Sequence, residues 1–568
     1  MITRRQFLAR SPLVLAGGMG LASMVDSLRL EGLSADESEA DVVVIGGGLG
    51  GCSAALAALE RGLSVVLTDP SDWIGGQLTS QGVPPDEHRW IETHGANESY
   101  RALRSKIRDF YRRHYPLSST ALADPFLNPG KGSVSRLCHE PRVALAVLLE
   151  SMMPYLGNRQ LRMHLNTKPI TAAVTQDRVE GIQVQSEDSG QTHWLRAAFF
   201  VDATELGDLL PLTKTEFVVG NEGQENTGEL HAPRGRDEGN QQAFTCCFAM
   251  DHHPGEDHTI TRPSAYDYWR NYMPQLTPEW PGRLLDFTYT HPRSGMPKKL
   301  GFNPASGPHG GVVNLWTYRR IAEVNQFVAG HYQSDICLVN WPQNDYFDGP
   351  LIGVSDAGQA SHIARAKGLS ASLLYWLQTE APQFDGGTGF PGLRLRTDIM
   401  GTDDGMAKFP YVRESRRIRA KFTVTEADCG KEQRRLETGG AGEALRSARY
   451  PDSVGVGSYP IDLHPSTSGD NYIDFETLPF ELPLGALIPE RVQNLLPANK
   501  NIGTTHVTNG CYRLHPVEWG IGEAVGSLVS FCHLKKHLPA EVWAKPELVS
   551  EFQRELVGRG VEIRWPRS

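Results

Sequence analysis

Short apolar runs alternate with helix-like stretches near the start of the chain, and the alternation returns near its end. Val42–Ile45 is apolar without a break, which predicts a strand buried on both faces of a parallel sheet. Alanine-rich Cys52–Arg61 predicts a helix stopped by Gly62, and Ser64–Thr68 a second strand. Residues 90–115, rich in Arg, Tyr and His, read as a helix with a solvated face, and Pro141–Met153 as an apolar one. Period-two alternation in Ile170–Val174 and Val179–Val184, around Gln176-Asp177, predicts a hairpin or meander. Ala197–Val201 reads as another buried strand. From about 213 to 480 the alternation stops, and Trp269, Trp280, Trp316, Trp341 and Trp376 mix with Tyr, His, Pro and Asn. It resumes with a strand at Asn494–Pro497 and an apolar helix at Pro516–Cys532, followed by an amphipathic tail.

This pattern predicts an α/β chain. A Rossmann-like domain is built from residues 40–212 and 481–535, an α+β substrate or cap domain is inserted at 213–480, and a tail covers 536–568. Between the first predicted strand and helix stand Gly46, Gly48 and Gly51 in G-x-G-x-x-G spacing. Glycine at these places permits a tight turn, close approach of a pyrophosphate and close helix–strand packing. The helix N-terminus offers N–H groups and a positive dipole end to phosphates. Asp69 closes the second strand, about 20 residues on, where an acid takes ribose hydroxyls. Strand, turn, helix and acid together predict dinucleotide binding. A second glycine turn, Gly75-Gly76, follows with Gln77.

Composition narrows the partners. Net charge is −10, from 56 basic and 66 acidic residues, without long single-sign runs, which argues against nucleic acid. No apolar stretch reaches the length of a membrane span. The eight cysteines include no C-x-x-C pair, so neither an iron–sulfur cluster nor a structural zinc is expected, and no metal is expected elsewhere: Asp251, His252, His253 and His258 match no ligand spacing and read as a solvated loop. Arg4-Arg5 ahead of a modestly apolar run to Val25 predicts a twin-arginine export signal, with a linker to residue 39. That implies the twin-arginine machinery as a partner and a periplasmic or otherwise exported location.

Four separated segments resemble the FAD-dependent oxidoreductases of the fumarate reductase and glutathione reductase superfamily: Gly46–Asp69, Phe199–Leu210, Tyr411–Asp428 and Asn494–Gly526. The resemblance implies FAD as cofactor and no separate nicotinamide site, there being no second G-x-G-x-x-G. It implies that Gly46, Gly48 and Gly51 hold the pyrophosphate and Asp69, in place of the more usual glutamate, the adenosine ribose. It also implies that Gly75, Gly76 and Gln77 lie along the pyrophosphate and flavin, that Pro169 contacts adenine through its carbonyl, and that Asp202 closes a strand near the cofactor. Gly520 and Gly522 would start a helix under the flavin pyrimidine, its dipole stabilising the reduced ring.

Flavin chemistry needs a proton acceptor and substrate-holding groups from the protein. His506 and His515, in a polar loop before the last apolar helix, are the candidate bases; the structural alternative is that they cap or pack. Arg413 and Arg416 are candidates to fix an anionic or polyhydroxyl substrate, or else to pair with carboxylates such as Glu414. Asn340–Tyr346, dense in polar and aromatic residues, reads either as a carbohydrate-like subsite or as a tight turn. The expected activity is hydride transfer from a polar small molecule, such as a sugar or polyol, to flavin N5, with electrons passed to oxygen or another acceptor. Reduction of an unsaturated acid and non-catalytic electron transfer are the alternatives.

Overall fold

A run of four residues, Val42 to Ile45, no more than 1% exposed, forms the centre of the main sheet, as an unbroken apolar run requires. The computed structural model describes residues 37–305, 312–383 and 386–566; the expected export signal lies outside the described residues. Strand β1 (Glu37–Ile45) leads through the first glycine turn into helix α1 (Leu49–Leu59) and strand β2 (Val65–Thr68). Helices α2 (Glu98–His114) and α3 (Pro141–Gly157) follow, then strands β3 (Leu161–His164), β4 (Thr167–Thr175), β5 (Arg178–Ser186) and β6 (Thr192–Asp202).

The insertion contributes strands β7 (Phe248–His252), β8 (Arg320–Ala322) and β9 (Ile336–Val339), the long helix α4 (Asp356–Thr379) and strand β10 (Leu393–Leu395). The chain then returns to the first sheet through β11 (Leu495–Pro497) and ends that region with α5 (His506–Tyr512) and α6 (His515–Lys535).

The main sheet runs β3-β2-β1-β6-β5-β4, with β11 also on β6. β1, β2 and β3 are parallel; β4, β5 and β6 form an antiparallel meander whose first turn carries Gln176 at φ +52°. β6 is the spine. Its first half pairs antiparallel with β5 and its last three residues pair parallel with β11, while Ala203 N–H donates to Ile45 O at 2.8 Å on the other side. Asn494 fills the fork where β5 and β11 diverge: its amide accepts from Val179 N–H (2.8 Å) and donates to the carbonyls of Val179 (2.9 Å) and Ala198 (3.1 Å). The insertion has its own antiparallel sheet, β8-β9-β7-β10.

Helices α1 and α6 are apolar on nearly every face, as helices sandwiched inside a domain must be. They pack backbone to backbone. A Cβ at Gly522 would overlap the Gly50 carbonyl, and one at Gly526 the Ala54 carbonyl. Gly50 in turn sits against the Ala498 carbonyl. Gly522→Val is therefore expected to cost roughly 3 kcal/mol or more through overpacking. Thermal melting and flavin absorbance of the purified protein measure this. Gly157→Ala, in a helix with nothing near the added methyl, is the control and is expected to melt at or slightly above the wild type.

Candidate active site

The two predicted glycine turns pack on each other. Gly46, at φ +99°, lies against the Ala203 carbonyl, where any Cβ would clash, and Gly51 lies against the Gly46 carbonyl. Gly75 (φ +106°) donates its N–H to Gly47 O at 2.7 Å. A Cβ at Gly76 would stand 3.0 Å from Gly48 Cα. Asp69 braces this unit: Oδ2 accepts from Gly47 N–H at 3.0 Å, and Oδ1 accepts from Ser71 N–H and Oγ–H at 2.7 Å each. Burial pushes its carboxyl up to about 7. Asp202, also raised to about 7 by burial, accepts from Thr204 and from Leu209 N–H, so it shapes the turn leaving β6. Pro169 is half-buried on β4, opposite Val184. Gly522 belongs to the α1–α6 contact, and a Cβ at Gly520 would find only Asn97 Nδ2, 3.8 Å away.

A charged row lies beside these turns. Gln77 Nε2 donates to Glu518 Oε2 and to the Arg513 carbonyl (3.0 Å). Glu518 Oε1 accepts from Gly50 N–H at 3.2 Å, so one N–H of the α1 N-terminus is already engaged. Lys500 Nζ stands 3.6 Å from Glu518 Oε2 and donates to Glu205 Oε2 and Asn499 Oδ1.

The insertion builds a second polar cluster from strand pairing. Asp345-Tyr346 pairs with Phe244-Thr245, and Thr245 bridges Tyr411 on its other side. Asp345 is wholly buried and takes four donors: Arg413 Nη2 (2.9 Å), Thr245 Oγ1 (2.6 Å), His464 Nδ1 (2.6 Å) and Tyr472 Oη. Burial works to raise its carboxyl, but Arg413 and His464 outweigh it and hold it well below the usual carboxylate range. An ionised carboxylate only accepts, so His464 carries its proton on Nδ1. Its Nε2 faces Asp462 Oδ2 at 3.4 Å, and Asp462 accepts from Arg513 Nη2 at 3.2 Å.

Beyond Asp462 lies a further group of buried polar side chains. Tyr411, Tyr459 and Asp86 lie within electrostatic range of Arg513. Arg319 pairs with Asp86 at 3.3 Å. Four donors here are buried without a partner: Arg319 Nε, Arg513 Nε, Tyr411 Oη and His515 Nε2. Tyr411 is also within electrostatic range of Lys500, and the Arg513 carbonyl accepts from Gln77 of the second glycine turn, so this group adjoins the turns.

The predicted catalytic residues separate. His515 joins this group: its Nδ1 accepts Asp86 N–H at 3.1 Å, and burial pushes the ring down to about 3, so it stays neutral. His506 does not join it. Its Nδ1 meets Glu414 Oε1 at 2.9 Å inside a buried network with Arg417 and Glu222; burial would lower the ring's pKa, but Glu414 raises it. Arg413 is spent on Asp345, Ala243 O and Thr245. Arg416 bonds Leu206 O (2.9 Å) and Asp208 (3.1 Å), clamping the turn after β6. Trp269, Trp280, Trp316, Trp341 and Trp376 are at most 2% exposed and belong to the core of the insertion. Asn340–Tyr346 is thus a tight turn, with Asn344 Oδ1 accepting Trp341 N–H at 2.8 Å, and no sugar-stacking surface. Sequence reading marked none of Asp86, Arg319, Asp462 and His464, while Glu205, Asp345, Tyr411 and Lys500 lay inside segments it marked but received no role of their own. Among the described residues no group of His, Cys, Asp and Glu could hold a metal ion, and no helix is long and apolar enough to cross a membrane.

No curated protein matches the chain. Solved structures resemble it loosely. The E. coli quinol fumarate reductase FrdA, as a point variant, shares 10% identity over 92% of this chain and 74% of its own, with a TM-score of 0.32. Adenylylsulfate reductase from Archaeoglobus fulgidus shares 18% over 30% of each chain (TM-score 0.21), and L-proline dehydrogenase from P. horikoshii 16% over 34% and 26% (TM-score 0.17). The chain thus spans less than a third of the length of the last two. Such likeness carries no argument about activity. The model of the FAD dependent oxidoreductase family, by contrast, matches residues 41–556.

The glycine turns suit that cofactor. Glu205 Oε1, a buried acceptor without a donor, faces both of them, 3.1 Å from where a Gly48 Cβ would stand and 3.0 Å from one at Gly76. FAD carries ribityl and ribose hydroxyls, the donors that such an acceptor lacks. Gly46, Gly48, Gly76 and Gln77, which form the two turns, are the residues that would hold it. The chain belongs to the FAD dependent oxidoreductase family and is an enzyme that works with FAD.

Proposed function

We propose that the enzyme oxidises a small hydroxylated molecule that also bears a carboxylate or carbonyl group, such as a hydroxy acid or sugar acid. The observation that carries this reading is the group of unpartnered donors, Arg319 Nε, Arg513 Nε, Tyr411 Oη and His515 Nε2, beside the glycine turns. Buried donors without acceptors call for an acceptor-rich ligand. A plain polyol supported by stacking on aromatic rings is less well served, because the tryptophans of the insertion are core.

Bound FAD supplies the hydride acceptor. The chain's own task is to hold the substrate and take its hydroxyl proton. Asp345 fixes Nδ1 of His464 as a donor, so proton exchange is confined to Nε2. The His464 side chain is 17% exposed, and its Nε2 faces Asp462, which in turn pairs with Arg513. Arg319 and Arg513 would pair with the acceptor group of the substrate. Export through the twin-arginine route is part of this proposal and rests on Arg4-Arg5.

Anaerobic mixing of the holoenzyme with hydroxy acids, sugar acids, polyols and unsaturated acids tests the reading. Flavin bleaching near 450 nm by one of the hydroxylated acids is the expected result. Bleaching by polyols alone would overturn the acidic class. Reoxidation of dithionite-reduced enzyme by an unsaturated acid, with no bleaching by any alcohol, would reverse the direction of reaction.

A further inference from the structure

Glu205, Lys500 and Glu518 keep 10%, 1% and 1% of their side chains exposed, so two carboxylates and one ammonium share a dry space. Almost every polar atom of the row is accounted for. Glu518 Oε1 has Gly50 N–H and Oε2 has Gln77 Nε2. Lys500 Nζ serves Glu205 Oε2 and Asn499 Oδ1. Asn499 Nδ2 donates to Ala203 O at 3.3 Å. The exception is Glu205 Oε1, which is buried and has no donor. It points at the place where the two glycine turns meet, and glycine at 48 and 76 is what leaves that approach clear.

We propose that Glu205 is a cofactor-binding residue that accepts a hydrogen bond from a ribityl or ribose hydroxyl of FAD, with Lys500 holding it in place between the turns and Glu518. The assignment rests on the family membership and not on the choice of substrate. A hydroxyl is the matching partner because it donates; a phosphate or a flavin carbonyl would meet the carboxylate oxygen with like charge or lone pairs. Lys500, already bonded on Oε2, fixes the carboxylate's rotation and leaves Oε1 toward the turns. The sequence marks this residue only by its place in the segment Phe199–Leu210, three positions past Asp202.

The test removes the flavin from the holoenzyme and titrates it back, following quenching of flavin fluorescence. The probes are FAD and FAD analogues each lacking one ribityl or ribose hydroxyl. In Glu205→Gln the amide oxygen stays with Lys500 and turns an NH₂ toward the cofactor, exchanging acceptor for donor. FAD affinity is expected to fall about 10- to 100-fold, the range for hydrogen bonds to charged groups. One analogue should weaken by the same factor in the wild type and lose nothing further in the variant; whether it is a ribityl or a ribose analogue identifies the hydroxyl. Wild-type affinity in Glu205→Gln, or equal losses for all analogues in both proteins, would overturn the assignment. If Glu205→Gln does not fold, the wild type alone decides: an analogue weakened 10-fold or more supports the contact, and no weakened analogue removes it. Failure of the wild type to bind FAD would instead strike the family assignment, a result distinct from either.

Discussion

Replacing His464 by glutamine is expected to slow flavin reduction by the bound substrate about 10²- to 10⁴-fold, the usual worth of a positioned proton acceptor. Glutamine is close in size, and its amide NH₂ can still donate to Asp345, so FAD content and melting temperature should stay near those of the wild type. The chemical loss follows from the proposed role, in which Asp345 holds Nδ1 and Nε2 takes the substrate's proton. Stopped-flow reduction under anaerobic conditions measures it, with a substrate taken from the bleaching panel. The pH dependence gives a second readout, since the variant should lose the limb of the profile that reports a base. Asp345→Asn is the poorer test. It leaves the Arg413 guanidinium buried without its carboxylate, at a cost of about 3–5 kcal/mol, so instability would mask the chemistry. His506→Ala separates the two histidines: it should melt earlier, having broken the Glu414–Arg417 network, yet keep most of its rate per folded molecule. A wild-type rate in His464→Gln would reject that ring as the base.

The sequence made some of this site legible and hid the rest for physical reasons. The strand–turn–helix unit from Val42 to Asp69 is local, so its periodicity and glycines appear in one short window, and the structure places them together. The helix at His515–Lys535 was equally readable as apolar. The reason for its glycines was not, because Gly522 and Gly526 answer to the carbonyls of Gly50 and Ala54, more than four hundred positions away. The arginines of Tyr411–Asp428 form a dense local cluster and so attract a functional reading. Their partners, Asp345, Asp208 and Glu222, come from three other segments, and each arginine is drawn to a different one. The pair His464–Asp345 has the opposite fault: nothing in the flanking residues marks His464, Asp345 shows only as part of the polar turn Asn340–Tyr346, and only pairing of Asp345 with Thr245 brings the aspartate into position. The tryptophans misled because aromatic density reads alike for a sugar platform and for a buried core, and burial decides between them.

Acid should weaken this fold through His515, and His515→Asn should remove part of that weakness. The ring's ordinary pKa is 6.5, and in the folded protein burial brings it to about 3. Between those values the unfolded chain binds a proton that the folded chain refuses. Stability therefore falls as pH falls through this window, by about 1.4 kcal/mol per unit and roughly 4–5 kcal/mol over its whole span. Asp69 and Asp202 act in the other direction. Their folded carboxyls, raised to about 7, hold protons that the unfolded chain has released, so they favour the fold as pH drops from 7 toward 4. These two contributions are common to wild type and variant and cancel in the comparison. Asparagine can offer its oxygen to Asp86 N–H as the ring nitrogen does, but it does not titrate. Urea midpoints at pH 7.5 and 4.5 give the result directly. The variant should lose about 2–3 kcal/mol less than the wild type between the two, whatever constant penalty it pays at both. Equal losses would mean that the ring already carries a proton in the folded enzyme, and His515 would then stand among these buried groups as a cation facing Asp86 instead of as a neutral donor.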